Sequence, residues 1–423
     1  IFGLGGLSYI KMLDSERDST DWTYGKAGRD KYFSSDMGVL GITYKHYLNQ
    51  TTILHSAISI SGYKLAQKGD SISLEINNPI PFYRNNSNEV TCSFSLKLRK
   101  KINTKNNLKA GILFDLYQIN YNDSSFKYNL RRFIKYNDIR KNLGLFQAFS
   151  EWQHKANDNI TLYAGLHYQL FSLNNSQSIE PRVNIKYYFN DKQKQSICLG
   201  YGLHSQLQPK SIYFNETYIE NGTYIRTNEN LDFTKAHHCI LGYDYSLNQN
   251  LRIKLEGYYQ YLFNVPVERK ESYYSLINSG IEFVRPKEAD SLINNGSQTN
   301  FGIDLTFERF LYKDYYCLLT ASIFDSKYKG SDNISRNTSF NGRYVLNILG
   351  GYEFNISDNH MIDVNIRAVH AGGRYYIPLK IEESIEAGHE IYDLDRLYEK
   401  SYPDYSRIDI KISYRINKLK YSQ

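Results

Sequence analysis

A strict alternation with a period of two runs through this chain and limits its fold more tightly than any other feature. From Tyr344 to His370, two alternating segments flank the tight turn Ser357-Asp358-Asn359. In the second arm Ile362, Val364, Ile366 and Ala368 share one parity, and Asp363, Asn365, Arg367 and His370 are assigned to the polar side. In the first arm Leu346, Ile348, Tyr352 and Phe354 oppose Asn347 and Glu353. Successive side chains of a strand point to opposite faces, so the hairpin has one apolar and one wet face. A soluble sandwich would hide the apolar face against a second sheet, whereas an outer-membrane barrel would turn it to lipid and keep the polar face in the lumen.

The same unit recurs along the chain. Hairpins are predicted from Gly38–Leu48 with Thr52–Tyr63, Val90–Ile102 with Leu108–Tyr121, and Leu143–Lys155 with Ile160–Leu173. Three more join Ile179–Phe189 with Ser196–Gln206, Thr234–Tyr245 with Leu251–Phe263, and Asn300–Leu311 with Tyr315–Tyr328. An opening strand over Phe2–Leu13 and a closing one through Ile408, Ile410, Ile412 and Tyr414 bring the expected total to sixteen. Seven turns are short, near Asn49, Asn103, Asp158, Asp191, Asn248, Lys313 and Ser357. The intervening connections are mostly long: Asp14–Ser35, Lys64–Glu89, Asn122–Lys141, Leu207–Asp232, Asn264–Ser297 and Gly372–Tyr405. Short turns at one end and long loops at the other mark outer-membrane barrels, and segments of this length are enough for the roughly 9 to 11 residues a tilted strand needs to cross a bilayer. The expected fold is therefore all-β, a transmembrane antiparallel β-barrel forming one domain over residues 1–423, with the loop Asn264–Ser297 outside the cell.

Composition agrees. Mean hydropathy is -0.54, and no apolar run approaches the roughly 18 residues of a membrane helix. The 40 Tyr and 21 Phe against 2 Trp cluster near segment ends, where amphipathic rings suit a membrane–water interface. The net charge of +7 is interspersed, with no nucleic-acid stripe. Cys92, Cys198, Cys239 and Cys317 lie far apart within predicted strands and read as packing or lipid-facing residues. Ile1–Gly6 is too short for a secretion signal and lacks its basic flank, so a longer parent or processed chain is expected.

The sequence contains no set of residues that points to catalysis, a metal or a cofactor. His237 and His238 are adjacent and face opposite ways, and His204 has no neighbour at ligand spacing. Glu382, Glu383, Glu386, Glu390, Asp393 and Asp395 form an acidic loop without regular calcium spacing. Ser205 beside His204, with Asp232, is too common a combination to mark an enzyme. The binding-site candidates are loop residues able to stack and hydrogen-bond: Tyr213, Tyr218, Tyr224, Arg226, Tyr273 and Tyr274.

Several stretches carry a family resemblance: Ser178-Ile-Glu-Pro-Arg-Val183, Tyr201-Gly-Leu-His-Ser-Gln206, Asn230-Leu-Asp-Phe-Thr-Lys-Ala-His237, and Glu256-Gly-Tyr-Tyr-Gln260 with Val265-Pro-Val-Glu268. Phe324-Asp-Ser-Lys-Tyr328, Phe340-Asn-Gly-Arg-Tyr344, Gly372-Gly-Arg374 and Asp404-Tyr-Ser-Arg-Ile-Asp409 continue it in order. Together they resemble the barrel of TonB-dependent receptors, in particular those of Bacteroidetes-type outer membranes. The resemblance implies a barrel of about 22 strands with a plug, so about six strands, divided between both ends, and the plug would lie outside this sequence. It further implies active import of a scarce, bulky ligand across a Gram-negative outer membrane, contact with outer-membrane lipids, and energy from a TonB-ExbB-ExbD complex acting through the plug. A passive porin or an adhesive surface barrel would share the same strands without energy coupling.

Overall fold

The computed structural model describes residues 1–18, 28–73, 76–127, 131–189, 194–218, 224–279, 291–388 and 390–416. The chain runs through β1 (Phe2–Met12), β2 (Arg29–Asn49), β3 (Thr52–Ser73), β4 (Ile76–Lys101), β5 (Asn106–Lys127), β6 (Arg132–Lys155), β7 (Ile160–Phe171), β8 (Gln177–Tyr188) and β9 (Gln195–Gln206). A small ribbon, β10 (Glu216–Tyr218) with β11 (Tyr224–Arg226), precedes β12 (Thr234–Asn248), β13 (Leu251–Glu268), β14 (Leu292–Tyr312) and β15 (Tyr315–Lys329). The short β16 (Ser335–Asn337), then β17 (Tyr344–Ser357), β18 (His360–Ala371) and the minor pair β19 (Tyr375–Tyr376) and β20 (Lys400–Ser401) lead to β21 (Tyr405–Ile416), with one helical turn pair, α1 (Ile381–Ala387).

Each long strand pairs antiparallel with the next long strand in sequence, from β1 through β21, and β16 adds to the end of β15. Sixteen long strands thus form one continuous barrel wall; among the described residues no pairing joins β21 back to β1. Among the described residues no helix is long and apolar enough to cross a membrane.

The short turns fall where the sequence places them, and asparagine chemistry explains why. Asn49 Oδ1 accepts from the Thr51 N–H at 2.9 Å, Asn103 Oδ1 from Lys105 at 2.9 Å and Asn106 at 2.8 Å, and Asn157 and Asn248 act likewise two residues on. The side chain imitates a backbone turn and closes the hairpin locally. At Lys313-Asp314 both residues are left-handed, with φ of 53° and 69°, which matches the twist of the flanking strands. The turn near Asp191 lies outside the described residues.

The alternation builds the lipid-facing band. Ile348, Ala368 and Ile408 lie in one row across β17, β18 and β21; Tyr352, Val364 and Ile412 form the next but one, and Phe354, Ile362 and Tyr414 the row beyond. Rings crowd the turn end, where Tyr44, Trp152, Tyr187, Tyr243, Tyr315, Tyr352 and Tyr414 stand on the apolar face. Cys92, Cys239 and Cys317 share that face, whereas Cys198 faces the lumen between Lys186 and Gly242; all four are free thiols. His370 does not belong to the polar side as expected. It shares the parity of Ala368 and sits beside Tyr344, whose ring lies 5.4 Å away, so it is part of the upper aromatic rim.

Two expected loops are largely strand, and the end of a third is strand. β2 already begins at Arg29, and Lys64–Ser73 pairs with Ile76–Asn88 to the hairpin tip, as Asn122–Lys127 does with Arg132–Asp138. The reason is that alternation reports lipid contact rather than β-structure. Above the membrane both faces meet water, so polar residues stand on both and the backbone ladder alone carries the strand. The result is a tall blade over β2–β6, with strands of 21 to 26 residues.

Candidate functional site: the lumenal wall and an inward-folded loop

The face opposite the lipid band is filled, on one side, by a loop. After β9 the chain turns at Pro209 into a 3-10 turn, Lys210–Phe214, whose Ile212, Tyr213 and Phe214 are buried. They pack with Ile119 and Tyr121 of β5, Ile139, Leu143 and Leu145 of β6, Phe171 of β7, Leu292 at the start of β14, and Leu231, Phe233, Tyr274 and Leu276 from neighbouring connections. This apolar core lies inside the barrel, on strand positions that would otherwise face water. A loop able to bury three consecutive large apolar residues has no periodicity and leaves no strand-like trace in the sequence.

Polar contacts lock the loop to the wall. The Glu89 carboxylate is 5% exposed; it accepts from Tyr121 Oη at 2.9 Å and Tyr63 Oη at 3.3 Å and pairs with Lys210 Nζ at 3.0 Å. Lys210 also lies over the Tyr117 ring, 4.2 Å from its centre. Asn228, fully buried, donates to the Ile212 carbonyl at 3.1 Å and accepts from the Leu292 N–H at 2.8 Å. Asn174 donates to the carbonyls of Glu229 and Leu231, and Asn294 accepts from the Asp232 N–H.

The predicted loop residues divide between this core and its margin. Tyr213 is fully enclosed, and burial pushes its phenol well above the usual range, so it stays neutral. Tyr274 is buried in the same core, and Tyr273 beside it is half-buried. Arg226 lies at the margin, bound by Glu216 at 3.3 Å and Glu229 at 3.6 Å, with its guanidinium 6.0 Å from the Phe214 ring. Tyr218 and Tyr224 face each other in the β10–β11 register, and their side chains lie outside what is described. The structure therefore gathers Tyr213, Tyr274 and Arg226 around one packed loop rather than around an open cleft.

An open lumenal cavity of about 520 Å³ lies lower on the wall, lined by Tyr163, His167, Arg182, Asn184, His204 and His238 among others. His204 does have a partner there, contrary to expectation. The rings of His204 and His238 approach to 4.6 Å because β9 and β12 pair in a register that sets them diagonally. Spacing within a sequence cannot reveal a cross-strand neighbour. His237, on the opposite face, stacks between Tyr201 and Phe263.

Beside this cavity the β8–β9 ladder stops at Arg182–Gly202, although β8 continues against β7 to Gln177. Pro181 has no N–H to offer that ladder. Glu180 fills the gap: 1% exposed, it takes hydrogen bonds from Gln169 at 2.6 Å, Arg182 at 2.8 Å and Ser205, and meets His167 at 3.0 Å. Gln169 also reaches Ser205 Oγ at 3.0 Å, so side chains stitch β7 to β9 across the break. Ser205, His204 and Asp232 are thereby separated into structural roles. With Glu180 saturated, the cavity offers imidazoles and one face of the Arg182 guanidinium, a donor-rich surface suited to an anionic guest.

Elsewhere, the acidic loop folds as α1 and its flanks, where Lys380 meets Glu383 at 3.3 Å and Arg396 meets Glu399 at 3.1 Å. Among the described residues no group of three or more His, Cys, Asp or Glu converges for a metal ion.

The family model described as TonB dependent receptor-like, beta-barrel, matches residues 2–422. No curated protein sequence matches the chain. Among solved structures, the ferric yersiniabactin uptake receptor FyuA from Yersinia pestis is similar with a TM-score of 0.63 at 10% identity, over 93% of this chain and 55% of that one. The siderophore receptor PiuA from Acinetobacter baumannii gives 0.64 at 12% over 92% and 59%, and the RagAB peptide transporter 0.58 at 10% over 83% and 49%. At these identities the likeness is one of fold, and the chain spans between about half and three fifths of each neighbour. The matched family is one of receptors and transporters rather than enzymes. With its sixteen-strand wall, its lipid band and a family match over almost its whole length, this chain belongs to the TonB-dependent receptor-like β-barrel family.

Proposed function

We propose that this chain forms most of the wall and outer mouth of an importer in a Gram-negative outer membrane of the Bacteroidetes type, and that the whole protein takes up a scarce, bulky ligand with energy drawn from the inner membrane. In this reading about six further strands complete a barrel of about 22, a plug seals its wide lumen, and TonB-ExbB-ExbD acts through the plug. The observation that supports it most is the lumenal face itself: a polar, donor-rich cavity around Arg182, His204 and His238 below a mouth narrowed by a packed loop. An iron chelate, a cobalamin-like cofactor, a glycan or a peptide would each be large enough to need such a path, and the donors favour an anionic one. Tyr273 and Arg226, at the margin of the loop core, are the predicted loop residues best placed to meet a ligand at the mouth.

The test is uptake of candidate ligands by cells with and without the full-length protein, repeated after collapse of the proton gradient. Uptake that depends on the protein and stops on collapse is expected. Uptake that survives unchanged would refute active import and support a passive porin, and no uptake at all would favour an adhesive barrel.

A further inference from the structure

The outward face of the blade changes character just above the lipid band. The last apolar row on β2–β5 is Leu40, Ile60, Cys92 and Leu116. In the next row Gly38 and Gly62 present no side chains, and above it stand Asp36, Lys64, Asn88, Asn120 and Arg140, in register across β2–β6. The glycines open a depression of about 820 Å³, lined by that row. It continues past Lys64 into a second depression of about 370 Å³, where Tyr9 and Tyr32 stand near Asn86 and Asn122.

The charges there are only partly spent within the protein. Lys68 and Arg84, one strand apart, both pair with Asp70, at 3.0 Å and 2.6 Å. Lys64 and Arg140 are exposed and make no ion pair with a described residue. Three strands apart, they stand about 14 Å from each other, with the amides of Asn88 and Asn120 between them. Amides that donate and accept suit sugar hydroxyls, phenol rings suit sugar faces, and free cations suit phosphates.

We infer that this trough binds the headgroup of a phosphorylated glycolipid of the outer leaflet, with its acyl chains running down over Leu40, Ile60 and Leu116. The site is continuous with the lipid band, so a lipid held there keeps its apolar part in the membrane while Lys64 and Arg140 hold its phosphates. The inference rests on the proposed orientation, with the long connections outside the cell.

The test uses the full-length protein extracted in mild detergent, with glycolipid retention measured as bound phosphate and sugar. Folding is checked by heat-modifiable gel mobility. Lys64→Glu with Arg140→Glu should lower retention at least fivefold, and the milder Lys64→Ala with Arg140→Ala should lower it in the same direction. Unchanged retention in both folded variants would overturn the inference. Added back to delipidated protein, intact glycolipid should bind at least tenfold more tightly than its deacylated, water-soluble phosphorylated oligosaccharide; equal binding would make this a soluble-glycan site and overturn it as well. Ser335→Cys, exposed on β16 in the connection between β15 and β17 and away from the trough, should react with a membrane-impermeant maleimide on whole cells. Failure to react would overturn the orientation and with it the proposed function's outer mouth, whereas reaction with unchanged retention would overturn the lipid site alone.

Discussion

Lys210→Met tests whether the inward-folded loop is a fixed part of the wall. Methionine keeps most of the apolar stem, so the change chiefly removes the charge facing Glu89 and the cation over Tyr117. Removing one partner of a buried ion pair costs about 3–5 kcal/mol. Lys210 is one-fifth exposed while Glu89 is nearly enclosed, and solvent access to the lysine lowers this toward about 2–3 kcal/mol; loss of the cation–π contact adds about 0.5–1. An exposed pair such as Lys135–Asp138, with both side chains at least half exposed, would give far less despite its shorter distance, because solvent screens it. About 3 kcal/mol corresponds to roughly a hundredfold rise in the open population of the loop. Hydrogen exchange at the Ile212 and Asn215 amides, bonded to the Pro209 and Ile212 carbonyls, reads that opening directly. The double variant Lys210→Met with Glu89→Gln removes the stranded charge and should return exchange to within about tenfold of the parent. Acceleration below threefold in the single variant, or no recovery in the double, would refute the pin.

Three further outcomes follow from the wall. Ile366→Arg, within the lipid band, should cost about 2–4 kcal/mol in denaturant unfolding from bilayers, while Asn365→Arg on the lumenal face should cost less, about the 1 kcal/mol of the hydrogen bond it accepts from Tyr316 Oη. Gly373→Ala would set a methyl group against the Tyr402 carbonyl oxygen, so about 1–3 kcal/mol of local destabilisation should appear as faster proteolysis of the 372–404 connection. Asp332 is bound by Arg336 at 3.0 and 2.7 Å; burial opposes its charge, but Arg336 and the Ile334 N–H outweigh it and hold the carboxyl below its usual 3.8. The folded value being the lower one, the turn's extra stability is complete above about pH 3.8 and is lost as pH falls further. Exchange at the Ile334 amide should therefore quicken in that acid range, and a flat response would contradict the assignment.

How much of this was legible depended on what each residue faces. The lipid band was, because water on one face and hydrocarbon on the other force a period of two on residues such as Ile362 to Ala368. The turns were, because Asn103 and Asn157 do their work within three residues. The blade above the membrane was not, since Lys64 to Ser73 pairs through its backbone with no apolar face to reveal it. The loop core was not, since Ile212, Tyr213 and Phe214 pack against residues far away along the chain, from Ile119 to Leu292. The resemblance-bearing stretches turn out to hold the wall together. Asn341 binds Asp325 and Asn337, Asp404 takes hydrogen bonds from Tyr344 and the Gly373 N–H, and Glu180 closes the break beside Pro181. They mark the family by its joints, and the cavity residues around His204 and His238 are set by register instead.

The blade also bears on how such a wall can be put into a membrane at all. The tip of the β3–β4 hairpin carries Lys64, Lys68, Asp70, Arg84 and Glu89 beyond the lipid band, and each charge met by hydrocarbon at the bilayer centre costs about 2–3 kcal/mol. Driving that tip through an intact bilayer would meet a barrier on the order of 10 kcal/mol before any lipid-facing residue is in place. The hairpins of β2–β6 therefore require an aqueous seam or a thinned, catalysed entry point during biogenesis, and spontaneous insertion into preformed vesicles should speed up markedly when the polar tip between Tyr63 and Val90 is shortened to a tight turn.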